Sequence, residues 1–320
     1  MRKTRKIWLI IVAALVMVGC VVFGSAMTRI NWDFKKLSTS KFETNEYALD
    51  ADFSNISVAA DTADIVFVPS YDMQGKVICN EREKQKHNVS VVNDTLTIQR
   101  VDTRMWYEHI EIQFGTPKIT IYIPAGEYGT LSIQSSTGDV KIPNDFTFES
   151  LDIAESTGNV ANYASVLEIM KIETSTGNIF VEGASAGAMD LTVTTGKVTV
   201  TDVVCRGDAT VQVSTGKAYL TGLDCRNLIS GGNTGDMTLH GVVAEETFSI
   251  TRSTGDVMFD GCDASELFVT TDTGDVSGTL LSDKVFITRT DTGRIDVPKT
   301  ITGGRCEITT DTGNIEISVK

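Results

Sequence analysis

The chain has 320 residues, and its 28 Lys plus Arg against 42 Asp plus Glu give a formal net charge of −14, which argues against nucleic acid as a partner. Six cysteines in a chain of this length do not make a disulfide framework. The first 27 residues carry four basic and no acidic side chains, so the remainder holds 24 Lys plus Arg against 42 Asp plus Glu, a formal charge of −18, which also disfavours polyanionic wall polymers unless divalent cations bridge them.

Residues 1–6 read as a short cytoplasmic tail containing Arg2, Lys3, Arg5 and Lys6. Residues 7–24 are an uncharged apolar run just long enough to cross a bilayer, and the dense positive charge before it places the bulk of the chain outside the cytoplasm. Two other fates stay open: cleavage near Gly24-Ser25-Ala26, and lipidation at Cys20, against which Val21, Val22 and Phe23 continue the apolar run. Residues 25–45, with Arg29, Lys35, Lys36 and Lys41, form a polar stalk.

Residues 46–130 read as irregular β coils. Ile56, Val58, Ile65 and Phe67 flank Asp61-Thr62-Ala63-Asp64, and Leu96, Ile98 and the run 118–123 supply further alternating strands. Thr62 lies 75 residues before Thr137, close to four periods of the repeat that follows. The loop from Asp102 to His109 interrupts the pattern, and its Trp106 and Tyr107 either cap the core or form a contact surface.

Residues 131–320 repeat. Thr-Gly pairs begin at Thr137, Thr157, Thr176, Thr195, Thr215, Thr234, Thr254, Thr273, Thr292 and Thr312, always 19 or 20 residues apart. Apolar residues recur four and six positions before each Thr and three and five after it, which is the alternation of half-buried strands. Each unit is therefore strand, turn, strand. Gly138, Gly158, Gly177, Gly196, Gly216, Gly235, Gly255, Gly274, Gly293 and Gly313 supply the turn, where positive φ suits glycine. One such unit cannot bury its own apolar face, so the units stack into a β-solenoid. The Thr292 unit has Phe286 and Ile287 where the pattern wants positions 286 and 288, which predicts a local bulge.

No catalytic cluster emerges. His87, His109 and His240 sit in unrelated contexts, and there is no nucleophile elbow, phosphate loop or Cys-x-x-Cys, so no cofactor is expected. Asp236, Asp256 and Asp275 share one phase on successive coils, with Asp272, Asp291 and Asp311 one position away across the turn. Such a row is a candidate for Ca²⁺, which would relieve repulsion between stacked carboxylates; the competing explanation is that Asp simply suits the turn. Cys205 and Cys225 occupy the same phase on adjacent coils, either as a small buried position or as a disulfide. Glu307, Asp311, Glu316 and Lys320 are placed to guard the edge of the final coil against end-to-end self-association.

The run Leu131-x-Ile133-x-x-Ser136-Thr137-Gly138-Asp139-Val140, preceded by Tyr122-Ile-Pro-Ala-Gly126 and an N-terminal hydrophobic segment, resembles the bacterial putative-adhesin family of β-strand-repeat domains, a domain of unknown function. The resemblance covers roughly residues 46–320. It implies a cell-envelope protein, in some cases associated with envelope-stress signalling, and no established catalytic residues. The expectation from the sequence is a noncatalytic, membrane-anchored surface module that meets a protein or envelope glycan. The alternatives are a carbohydrate-active β-helix, which requires a groove where carboxylates meet Arg or Lys, and a sensor acting on a membrane partner.

Overall fold

The computed structural model describes residues 2–33, 42–71, 74–103 and 115–320. Trp106, Tyr107 and His109 fall outside them, as do Lys35, Lys36 and Lys41. Helix α1 (Arg2–Arg29) contains a 24-residue segment, Lys6–Arg29, that is long and apolar enough to cross a membrane.

The rest is β-structure. Strands β1 (Phe42–Leu49), β2 (Asn55–Ala59), β3 (Asp64–Ser70), β4 (Gly75–Arg82), β5 (Gln85–Val92), β6 (Thr95–Asp102), β7 (Lys118–Pro124) and β8 (Gly126–Thr137) build the N-terminal end. From there the chain winds as a parallel β-solenoid in which each Thr-Gly pair is a corner, and successive corners lie over one another as rungs. The four apolar phases predicted from the repeat point inward. Ile133, Ile153, Ile172, Leu191 and Val211 form one such column, and Val140, Val160, Ile179 and Val198 another, each residue at 1% exposure or less. Burying each of these side chains contributes about 1.5–3 kcal/mol.

Rung order in space departs from order in sequence at both ends. Read from glycine to facing carbonyl, the rungs run Ala63, Gly138, Gly158, Gly177, Gly196, Gly216, Gly235, Gly255, Gly274, Gly313, Gly293. The Thr62 coil therefore lies directly against the Thr137 coil, joined by a bridge between the two threonines, instead of four periods away. The intervening chain turns outward. There β6 and β7 pair parallel with the far edges of β2 and β3, and β5, β4 and β1 continue as antiparallel strands. Ala63 stands in place of glycine at a corner that is fully buried and, unlike the glycine corners, is not at positive φ.

At the other end the strand Gly304–Thr312 pairs with Val257–Thr273 on one side and Lys284–Thr292 on the other. The Thr312 coil is thus an inner coil. The open edge belongs to the Thr292 coil, so Glu307, Asp311, Glu316 and Lys320, which all belong to the Thr312 coil, do not guard it. The expected bulge is also absent: Lys284–Thr292 pairs in unbroken register, with Phe286 opposite Cys306 and Thr288 opposite Ile308. Ile287 points outward at 49% exposure, and the inward position is given to a threonine. A polar residue is tolerated there because no further coil covers it.

Candidate functional site

The corner is built from backbone contacts so close that only glycine fits. A Cβ added to Gly158, Gly177, Gly196 or Gly216 would lie 1.7–1.8 Å from the carbonyl oxygen of the preceding rung's glycine, and all ten turn glycines have φ between +123° and +159°. Two positions before the threonine, an inward polar column closes the corner: Thr174, Thr271 and Thr310 donate hydroxyl hydrogen bonds to Gly158, Gly255 and Gly274 carbonyls at 3.3, 3.5 and 3.1 Å. Glu155 and Arg252 take the same column. Arg252, 1% exposed, reaches Ser230 Oγ and the Val213 carbonyl through space that Gly232 leaves free. Burial pushes the Glu155 carboxyl up to about 7; Ser135 and the Thr157 backbone pull it down by less, and Asp139 pushes it further up.

Two positions after the threonine runs the row that includes Asp236, Asp256 and Asp275. The structure lines these up, and one oxygen of each accepts a backbone N–H from the next rung: Asp236 from Asp256 at 3.3 Å, Asp256 from Asp275 at 2.8 Å, and Asp275 from Asn314 at 2.6 Å. Asp139 and Asn159 do the same for Asn159 and Asn178. This is the turn role that Asp and Asn side chains favour. Lys217 pairs with Asp236 at 2.8 Å, and its hydrogen bond lowers the Asp236 carboxyl below its ordinary range. Asp272 and Asp291 stand on the other side of the corner, exposed, with Asp291 paired to Arg289 at 3.0 Å.

Cys205 and Cys225 are both buried and both free, at 2% and 4% exposure. Cys225, pushed up to about 12 chiefly by burial, is a neutral thiol. The mass of the intact protein is expected to be the same before and after reduction; a gain of two hydrogens that disappears in Cys205→Ser would establish a bond involving this pair.

A row that the sequence reading passed over lies four positions after each threonine. Phe180, Thr199, Tyr219, Thr238, Met258 and Ser277 are consecutive cross-strand neighbours, so large and small side chains alternate along the outer face. Tyr219 is 36% and Met258 49% exposed. The Lys197 ammonium sits 5.1 Å from the Phe180 ring and 5.9 Å from the Tyr219 ring, bridging the two. The alternation was present in the sequence at intervals of 39 residues, twice the repeat.

A concavity of about 930 Å³ opens where β6 overhangs the first coils. Carboxylates and a cation do meet there: Arg100 pairs with Asp61 and, at 2.5 Å, with Asp102. Both carboxylates are thereby engaged by the same guanidinium, and the Glu155 carboxylate oxygens are sealed from solvent.

These features define the class: a parallel β-solenoid of 19- to 20-residue coils, carried behind one apolar helix of membrane-spanning length. The chain belongs to the Toastrack DUF4097 family, whose model matches residues 53–216 and 206–320. No curated protein matches it. Among solved structures it is similar to one from Parabacteroides distasonis described as a "putative adhesin", at 13% identity and TM-score 0.47, covering 87% of this chain and 98% of that one. Another from Bacteroides fragilis with the same description gives 13%, 0.42, 87% and 97%. A "putative lipid binding protein" from Parabacteroides distasonis gives 13%, 0.45, 88% and 98%. At these values the likeness bears on neither ligand nor activity.

Proposed function

We propose that the protein is a noncatalytic, membrane-tethered surface module whose solenoid stands outside the cytoplasm and binds an extended envelope glycan along the Phe180–Tyr219–Met258 row. The alternation of that row supports the reading. Its large side chains recur every second rung, roughly 9.6 Å at the ordinary spacing of paired strands, which is commensurate with the disaccharide repeat of an extended β-linked glycan. Aromatic faces offer large apolar contact area for sugar C–H faces, and Lys197 brings a donor beside them. The α1 helix would hold the module at the membrane, with the dense basic flank Arg2–Lys6 inside.

The enzymatic alternative would have to work in the concavity under β6. Its one arginine is already shared between two carboxylates, and the acid with the raised pKa faces inward. Full-length protein in detergent, titrated calorimetrically with soluble β-1,4-linked wall fragments, is expected to bind. Tyr219→Ala is expected to weaken that binding at least tenfold, and Lys171→Ala, on the other strand of the coil, to leave it unchanged. Absence of binding by the wild type, or equal binding by Tyr219→Ala, overturns the reading.

A further inference from the structure

We propose that Cys79, Glu81 and His87 form a transition-metal site, selective for Zn²⁺, that clasps the N-terminal end of the solenoid. Strand β4 supplies Cys79 and Glu81 two residues apart, hence on one face, and a two-residue turn returns the chain antiparallel, with Arg82 opposite Gln85, to present His87 from β5. One ligand atom from each of the three lies within 4.8 Å of the others. Cys79 and Glu81 are 0% exposed and His87 5%. Zinc bonds of about 2.0–2.3 Å place tetrahedral ligands roughly 3.5 Å apart, so the widest pair needs to draw in by about 1.3 Å at most, while Glu81 Oε2 and His87 Nδ1, 2.7 Å apart, part by about 0.8 Å or bind through their other atoms.

The surroundings hold these groups as partners hold ligands at metal centres. Glu81 Oε2 accepts from the His87 main-chain N–H at 2.6 Å and lies 2.7 Å from His87 Nδ1. Its other oxygen accepts from Asn45 Nδ2 at 2.7 Å, and the Tyr47 hydroxyl donates to the His87 carbonyl at 3.0 Å. A void of about 10 Å³, lined by His87 but by neither Cys79 nor Glu81, has room for roughly one water on the imidazole side of the site. Zinc binding would deprotonate the Cys79 thiol, and carboxylate, thiolate and Zn²⁺ together are neutral. The mixed sulfur, nitrogen and oxygen set favours zinc over Ca²⁺ or Mg²⁺, which prefer oxygen alone. All three residues are closed to substrate, so the metal's work is structural: it ties β4 to β5.

The test uses the full chain in detergent, stripped with chelator and titrated with Zn²⁺, Ca²⁺ and Co²⁺ separately. Expected are one equivalent of zinc per chain, a rise of several degrees in melting temperature, no binding of Ca²⁺, and a sulfur-to-cobalt charge-transfer band with Co²⁺. Cys79→Ser is expected to abolish that band and His87→Gln to weaken zinc at least tenfold, while Cys306→Ser keeps both. No stoichiometric zinc binding by the wild type overturns the proposal even if a variant misfolds, as does a charge-transfer band that survives in Cys79→Ser.

Discussion

Replacing Gly216 by alanine is expected to lower the stability of the domain by at least about 3 kcal/mol, whereas the same change at Gly241 is expected to cost about 1 kcal/mol. Both glycines have positive φ, but the +58° of Gly241 lies in the left-handed region that other residues visit at modest cost, whereas the +137° of Gly216 is open to glycine alone. They differ also in what a Cβ would meet. At Gly216 it falls 1.7 Å from the Gly196 carbonyl oxygen and 2.8 Å from its carbon, both backbone atoms of a paired rung that cannot rotate away. At Gly241 nothing lies within 4 Å. Relief at Gly216 requires the two rungs to separate, and in a stacked array the loss of one interface is felt by all the coils that depend on it. Denaturant unfolding of the full chain reads the difference directly. Equal losses at the two sites would mean that neither the rung contact nor the more restricted φ at Gly216 adds to the cost, and that the corner tolerates a Cβ.

The second expected result concerns pH. Glu155 is 5% exposed and its folded pKa of about 7 stands above the ordinary 4.5, chiefly through burial. Its threonine counterparts at 174, 271 and 310 donate to a glycine carbonyl; a protonated carboxyl can donate in the same way, and a carboxylate cannot. The sign follows. Below pH 4.5 the group is protonated in both folded and unfolded chains and costs nothing; between 4.5 and 7 the unfolded chain ionises first, and stability falls; above 7 the loss is complete. A shift of this size corresponds to on the order of 3 kcal/mol. Glu155→Gln is therefore expected to melt with the wild type at pH 4 and several degrees above it at pH 8. A difference that stays constant with pH would show that Glu155 is ionised in the fold at neutral pH.

The period of 19 or 20 residues made the coil legible, and with it the inward columns, because a two-residue alternation on each side of a fixed corner leaves no choice of face. Which coils are neighbours was not legible. Thr273, Thr292 and Thr312 are evenly spaced in sequence, yet the third stacks on the first. Spacing identifies a rung without saying what lies on it. The trace that was available is compositional: Thr288 in place of an apolar residue marks the coil at the open edge, and Ala63 in place of glycine marks a corner without positive φ. The Asp row was legible as a row, but its carboxylates already accept backbone N–H groups, a use that the sequence cannot rank against a cation. Cys79, Glu81 and His87 escaped notice because the alternation of β4 and the turn into β5, not a known ligand spacing, bring them together.

The transposed coil sets an order of assembly. Chain leaving the Thr273 coil first lays down the Thr292 coil one position too far out, where it lacks a partner, and only the Gly304–Thr312 strand with Ile315–Val319 fills the gap. Winding cannot simply proceed coil by coil toward that end. A chain shortened by residues 304–320 is therefore expected to lose the pairing of the Thr292 coil as well and to leave the edge at Thr273 open.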